Sequence, residues 1–230
     1  DIAVILNVDE DHLDYFKTFD NLKKSFTKFA SMATKMIIYN GDDEKTLRAV
    51  APIKNKQFIT FGRSNTNDWY PENISYNNGA FPCFDLMYHG EKKARVELMV
   101  PGEHNIVNAL AAIAAAVNAG ADINSAVAAL SEFGGAGRRF EILGKYNDIT
   151  IADDYAHHPT EIKATLSAVQ NVKHETLWCL FQPHTYTRTL ALLDDFVDSF
   201  GTDFRNLFLY GDTGVGKTFL SNCIAKDLID

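Results

Sequence analysis

Short apolar, β-branched runs alternate along this chain with stretches of helical periodicity, and that rhythm constrains the fold more than any other property of the sequence. Residues 2–6 read as a buried strand closed by the polar stretch 7–11, residues 20–33 as a helix carrying Leu22, Phe26, Phe29 and Ala30 on one face, and residues 36–39 as the next strand, stopped by Asn40-Gly41. A short helix over 43–50 and a strand over 57–61 continue the pattern. Between residues 69 and 100 the pattern changes to an antiparallel meander with turns at Asn77-Asn78-Gly79 and His89-Gly90. An Ala-rich helix over 105–119, with Ile106, Leu110 and Ile113 on one face and Gly120 as its stop, precedes another over 123–130. Residues 133–137 hold three glycines in four positions and mark the expected domain boundary. Beyond it the strands 149–152, 177–181 and 206–210 alternate with helices over 160–169 and 189–200, which predicts a parallel sheet with ligands gathered at the carboxyl ends of its strands.

Composition narrows the function classes. In 230 residues, 22 Lys and Arg face 30 Asp and Glu, a net charge of −8 that lacks the basic field nucleic-acid binding needs. The three cysteines, Cys83, Cys179 and Cys223, are widely spaced and suggest neither a disulfide framework nor a zinc site. No apolar run reaches the roughly 18 residues of a membrane span, and residues 1–12 lack the basic start of a signal peptide. The expectation is a soluble, cytoplasmic chain with no membrane partner. It begins at Asp1, inside an apolar run and without Met, so its natural start is expected elsewhere.

Five short constellations could carry chemistry. Asn7-Val8-Asp9-Glu10-Asp11-His12-Leu13-Asp14 follows a strand and gathers carboxylates around an imidazole, a set able to bind a divalent cation or to serve as a solvated loop that caps the next helix. Gly102-Glu103-His104-Asn105-Ile106-Val107-Asn108 opens the Ala-rich helix; its asparagines can read a purine edge, or Asn105 can be simply the helix cap. Gly137-Arg138-Arg139-Phe140-Glu141 places paired guanidiniums at the boundary, suited to a phosphate or to a charged linker. Asp153-Asp154-Tyr155-Ala156-His157-His158-Pro159-Thr160-Glu161 presents acidic and imidazole groups at a strand end, with Thr160 able to start the helix; substrate or nucleotide contact ranks above metal here. Phe181-Gln182-Pro183-His184-Thr185-Tyr186-Thr187-Arg188-Thr189 follows the next strand, and His184 with Arg188 could bind a carboxylate near the Asp154 loop if the two strands are neighbours; Thr187 as a helix cap is the alternative.

In this order the five motifs closely resemble the Mur ligases over roughly residues 1–200, the last two being those of the member that joins L-alanine to UDP-N-acetylmuramate. The resemblance implies ATP-dependent amide-bond formation in peptidoglycan synthesis, through an acyl phosphate attacked by the amino group of L-alanine. Carried over by position, His12 is a magnesium ligand, His104, Asn105 and Asn108 lie at the adenine site, and Arg139 or its neighbour Arg138 approaches phosphate. Asp154 contacts the ribose, while Tyr155, His184 and Arg188 form the L-alanine pocket, with Arg188 on the carboxylate. Domain closure is implied to complete this site. The implied architecture is α/β: the second half of a central ATP-binding domain over 1–136, mixed-sheet with a meander, then the first part of a Rossmann-like carboxy-terminal domain over 137–202. The family's sugar-binding domain and its own phosphate loop fall outside residues 1–230, so the expectation is an inactive fragment.

The end of the chain departs from that pattern. Gly211-Asp212-Thr213-Gly214-Val215-Gly216-Lys217-Thr218 satisfies the phosphate-loop signature between an apolar strand and a helical pattern, and residues 203–230 are similar to AAA+ ATPases of the helicase-loader type. Gly211, Gly214 and Gly216 would let backbone amides cradle phosphate, Lys217 would reach the terminal phosphates and Thr218 would hold magnesium. The second expectation is therefore a nucleotide-binding module, with a replicative helicase as partner only on that reading, and a join of two unrelated proteins near residues 200–206.

Overall fold

The computed structural model describes residues 1–10, 13–78, 80–183, 186–200 and 207–209. The chain divides into two compact units, residues 1–77 with 81–134, and residues 78–80 with 135–230.

The first unit is built on a six-stranded sheet in the order β1 (Ile2–Ile5), β2 (Met36–Asn40), β3 (Gln57–Phe61), β4 (Trp69–Asn77), β5 (Phe81–Tyr88) and β6 (Glu91–Glu97). β1 to β4 are parallel, and β4 to β6 form the expected antiparallel meander. Helices cover both faces, which is why β2 reads as an unbroken apolar run rather than an alternating one. Met36 and Ile38 point into the core beneath α4 (His104–Asn118), whereas Ile37 points into the core beneath α2 (Phe19–Ser31) and α3 (Glu44–Val50). The alanines of α4 let it lie close against the sheet, and Ile106, Leu110 and Ile113 are fully buried on that face, each contributing about 1.5–3 kcal/mol. α5 (Ile123–Glu132) packs beside α4 and β6, capped by Asp122, whose carboxylate accepts the Ser125 amide at 2.9 Å. A short α1 (Leu13–Phe16) precedes α2.

The second unit differs from its expected parallel sheet. β8 (Ile149–Asp153) pairs antiparallel with β7 (Glu141–Tyr146) in a hairpin whose turn residues Asn147 and Asp148 both have positive φ. Separately, β9 (Cys179–Phe181) pairs in parallel with β10 (Leu207–Leu209). The sequence reading missed β7, and β8 and β9 belong to different sheets rather than being hydrogen-bonded neighbours. The helix expected over 189–200 is two helices, α7 (Tyr186–Ala191) and α8 (Leu193–Phe200), broken at Leu192. α6 (Pro159–Gln170) and α8 close a small core in which the Phe181 ring meets Phe196 and Phe200, with centroids at 5.9 and 5.2 Å. Among the described residues no helix is long and apolar enough to cross a membrane.

Candidate active site

In the first unit, parallel pairing brings the carboxyl ends of β1, β2 and β3 to one edge of the sheet, the place where such sheets gather ligands. The loop after β1 is anchored from the loop after β2. Asp43 caps α3, and its Oδ2 accepts both the Thr46 amide at 2.9 Å and the Val8 amide at 3.1 Å. Lys45 Nζ lies 2.9 Å from Asp9 Oδ1 and 3.7 Å from Glu10 Oε1. Burial alone would lower the Lys45 pKa, but the Asp9 hydrogen bond and the charges of Asp9, Glu10 and Asp43 outweigh it, and the group is held protonated above its ordinary range. Asp42, in the loop after β2, accepts the Arg63 and Ser64 amides and the Asn67 side chain at 2.8 Å from the loop after β3, and the Arg63 guanidinium pairs with Glu103 just ahead of α4. That pair ties the start of α4 to the same edge. None of Asp42, Asp43, Lys45 or Arg63 was singled out from sequence; the Asn40-Gly41-Asp42-Asp43 run after an apolar strand was the available signal.

At the start of α4 the helix cap is Glu103, not Asn105. Asn105 is half-buried and reaches back, its Nδ2 donating to the Pro101 carbonyl at 2.7 Å while its Oδ1 accepts from Asn108 Nδ2 at 3.0 Å. These bonds orient the Asn105 amide and tie it to the exposed Asn108 one turn further along α4, which His104 begins. Oriented amide groups of this kind can match the donor and acceptor pattern of a purine edge. Gly102, at φ +100°, allows the chain to enter the helix at this angle.

The second unit interlocks the Gly-Arg-Arg-Phe-Glu and Asp-Asp-Tyr motifs. Asp154 is their keystone: Oδ2 accepts the Phe140 amide at 2.8 Å and the Thr165 hydroxyl at 3.3 Å, and Oδ1 accepts the Ala156 amide at 2.7 Å. Arg138 pairs with Asp153 at 3.0 Å and lies over the Tyr155 ring, whereas Arg139 pairs with Glu161 at 3.3 Å. Burial tends to raise the Glu161 pKa, but the His157 amide and the charges of His157 and Arg139 win, and the carboxyl is held below its ordinary value. His158, rather than Thr160, caps α6: its Nδ1 accepts the Thr160 amide at 3.4 Å with Pro159 in the first turn, and its buried Nε2 has no partner. Arg188 lies half-buried on α7. Burial pushes the Cys179 thiol up to about 11, which disfavours its thiolate form.

His12 and His184 lie outside the described residues, as do Gly211, Gly214, Gly216, Lys217 and Thr218. Among the described residues no group of three His, Cys, Asp or Glu side chains is placed to hold a metal ion.

The described residues thus combine a mixed six-stranded sheet, with loops gathered at the carboxyl ends of β1 to β3, and an α/β unit whose arginine turn locks onto an acidic strand end. The Mur ligase middle domain matches residues 1–116 and the Mur ligase glutamate ligase domain matches residues 138–228; the chain belongs to the Mur ligase family. The second match spans residues 211–218 as well. The UDP-N-acetylmuramate-L-alanine ligase of Clostridium acetobutylicum is 48% identical over 98% of this chain and 51% of its own length. The crystal structure of the UDP-N-acetylmuramate-alanine ligase MurC of Thermotoga maritima superposes with a TM-score of 0.77 at 26% identity, over 98% of this chain and 49% of that one. The fold is shared by a MurF ligase of Thermotoga maritima solved in complex with ADP, with a TM-score of 0.71 at 15% identity over 93% of this chain and 49% of that one. The chain thus spans about half the length of these relatives.

Proposed function

We propose that the chain supplies the nucleotide-base and amino-acid-binding parts of a ligase that joins L-alanine to the carboxylate of UDP-N-acetylmuramate. The observation that carries this reading is the interlocked Arg138, Arg139, Asp154 and Tyr155 assembly, which places two guanidiniums and an aromatic wall around one strand end. In the proposed reaction the muramate carboxylate takes the γ-phosphoryl group of ATP, releasing ADP. The amino group of L-alanine attacks the resulting acyl phosphate, loses a proton and expels phosphate, leaving the amide. His104, Asn105 and Asn108 hold the adenine, Asp154 the ribose, and Arg139 a phosphate. Tyr155, His184 and Arg188 receive L-alanine, with Arg188 on its carboxylate.

Magnesium would neutralise phosphate charge in such a site. Its assignment to His12 rests on the resemblance alone, since the described residues offer no three-ligand group.

A second reading keeps nucleotide at Gly211–Thr218, favoured by the strand β10 that runs just before this signature. Equilibrium dialysis of the chain against ATP separates the two. Loss of binding in Asn108→Ala with Lys217→Ala unaffected supports the α4 site; the reverse pattern assigns nucleotide to the phosphate-loop signature and refutes the adenine site.

A further inference from the structure

The turn at residues 137–141 holds its two arginines in different states. Arg138 and Phe140 both have positive φ, +58° and +48°, a backbone region uphill for any residue with a Cβ. Four hydrogen bonds hold the turn in this shape. The Arg138 amide donates to Glu141 Oε2 at 2.7 Å, the Arg139 amide to the Ala136 carbonyl at 3.1 Å and the Phe140 amide to Asp154 Oδ2 at 2.8 Å, while the Arg138 carbonyl accepts from the Tyr155 amide at 2.8 Å. From this turn the Arg138 side chain reaches across to the end of β8. Its Nε donates to Asp153 Oδ2 at 3.0 Å, and its guanidinium lies 4.8 Å from the centroid of the Tyr155 ring. The His157 ring meets the same tyrosine at 5.2 Å and 72°. Tyr155 is 53% exposed, so burial in a core does not hold its ring; the guanidinium over it and the neighbouring imidazole are its ring contacts. Arg139 makes a longer, half-exposed pair with Glu161.

We propose that Arg138 is a positioning residue that clamps the Tyr155 ring in place at the amino-acid site. The inference rests on the reading that Tyr155 lines the L-alanine pocket. A guanidinium held over one ring face leaves the other face open to an apolar contact and restrains the ring.

The test uses the full 230-residue chain with ring-labelled tyrosine and labelled arginine, observed by NMR, with L-alanine and ATP titrated separately. The Arg138 Nε–H signal is expected to be displaced by the ring and to return to the usual position in Tyr155→Leu. In Arg138→Leu the Tyr155 ring signal is expected to average and L-alanine affinity to fall roughly three- to thirtyfold, with partial recovery in Arg138→Lys and no change in ATP affinity. Arg139→Leu is expected to do the opposite, weakening ATP and sparing L-alanine. Arg138→Gly, which suits the positive φ, guards against misfolding: it is expected to keep a folded spectrum and still lose the ring signal. An unchanged ring signal in Arg138→Leu and Arg138→Gly, or parallel loss of L-alanine and ATP binding, overturns the proposal. Absence of any L-alanine response in the unsubstituted chain overturns the pocket reading and the substrate half of this one, while the ring signals decide the clamp independently.

Discussion

Asp43, at the head of α3, accepts the amide of Val8 from the loop after β1, tying two strand ends together through one carboxylate oxygen. The same oxygen caps the helix at Thr46. Lys45 holds Asp9 of that loop, but both side chains of this pair are more than a third exposed, 37% and 35%. The two contacts should therefore differ in weight. Asp43→Ala is expected to cost about 1–2 kcal/mol, because it removes a cap and leaves a half-buried amide unpaired. Lys45→Met is expected to cost under about 1 kcal/mol, as solvent-screened pairs do. Urea unfolding and amide exchange at Val8 measure both, and a Lys45 loss equal to that of Asp43 would refute the ranking.

Asp85 stands apart from the site and should govern acid stability. It is 6% exposed on β5, accepts from Asn73 at 2.9 Å, and pairs with Lys92 at 2.9 Å and Arg95 at 3.1 Å. The Asn73 hydrogen bond first, then Lys92 and Arg95, outweigh the upward push of burial and draw its pKa from 3.8 down to about 2. A carboxyl depressed on folding contributes fully above its unfolded value, and that contribution fades as pH falls through the interval between 3.8 and about 2. Because the two cationic partners are exposed, the contribution is on the order of 1 kcal/mol. Unfolding free energy measured from pH 5 to 2 should lose that much in the native chain, whereas Asp85→Asn should start lower and show a flatter profile. A parallel profile in both would count against this assignment.

Gly62 follows β3 where the loop turns back toward Asp42. A Cβ there would meet the Asp42 carboxylate and lie 2.6 Å from Asn67 Nδ2, neither a flexible tip that can swing away, since Asp42 is held by the Ser64 amide and Asn67 by the Ser64 carbonyl. Gly62→Ala should destabilise the first unit by about 1–3 kcal/mol through overpacking. Gly90→Ala is the control for steric effect: nothing lies within 4 Å of its Cβ position, and its cost is confined to the positive φ of +83°. Gly62 itself does not take a positive φ, so in thermal unfolding a loss there no larger than the backbone cost at Gly90 would count against overpacking.

These contacts show which parts of the molecule can be read from sequence. β2 and β3 were legible because strands buried on both faces leave apolar runs such as Met36-Ile37-Ile38. β7 was not, because Glu141–Tyr146 is exposed throughout, is interrupted by Gly144 and so carries no burial period. The break at Leu192 was hidden because Leu190, Leu192 and Leu193 fit one helical pattern, and only the packing of α8 through Phe196 and Phe200 separates them. At the site, the motif residues were visible one by one. The role of Asp43 depends on the register that sets β1 beside β2, and the different partners of Arg138 and Arg139 go with a positive φ at the first of them only.

His158 offers a sharper case of a local rule that sequence alone misassigns. It caps α6 through Nδ1 with a long 3.4 Å contact, while its Nε2 is buried without a partner. With Nδ1 accepting, the ring proton sits on Nε2, so a donor is buried unpaired. Asparagine places an amide oxygen where Nδ1 lies, is among the best helix caps, and has no atom at the Nε2 position. His158→Asn is therefore expected to hold or raise stability by up to about 1 kcal/mol, whereas His158→Ala, which loses the cap, should lower it by about 1 kcal/mol. Chemical denaturation of the two variants beside the unsubstituted chain checks this. Equal losses in both would mean that the imidazole ring stabilises α6 by packing rather than by capping.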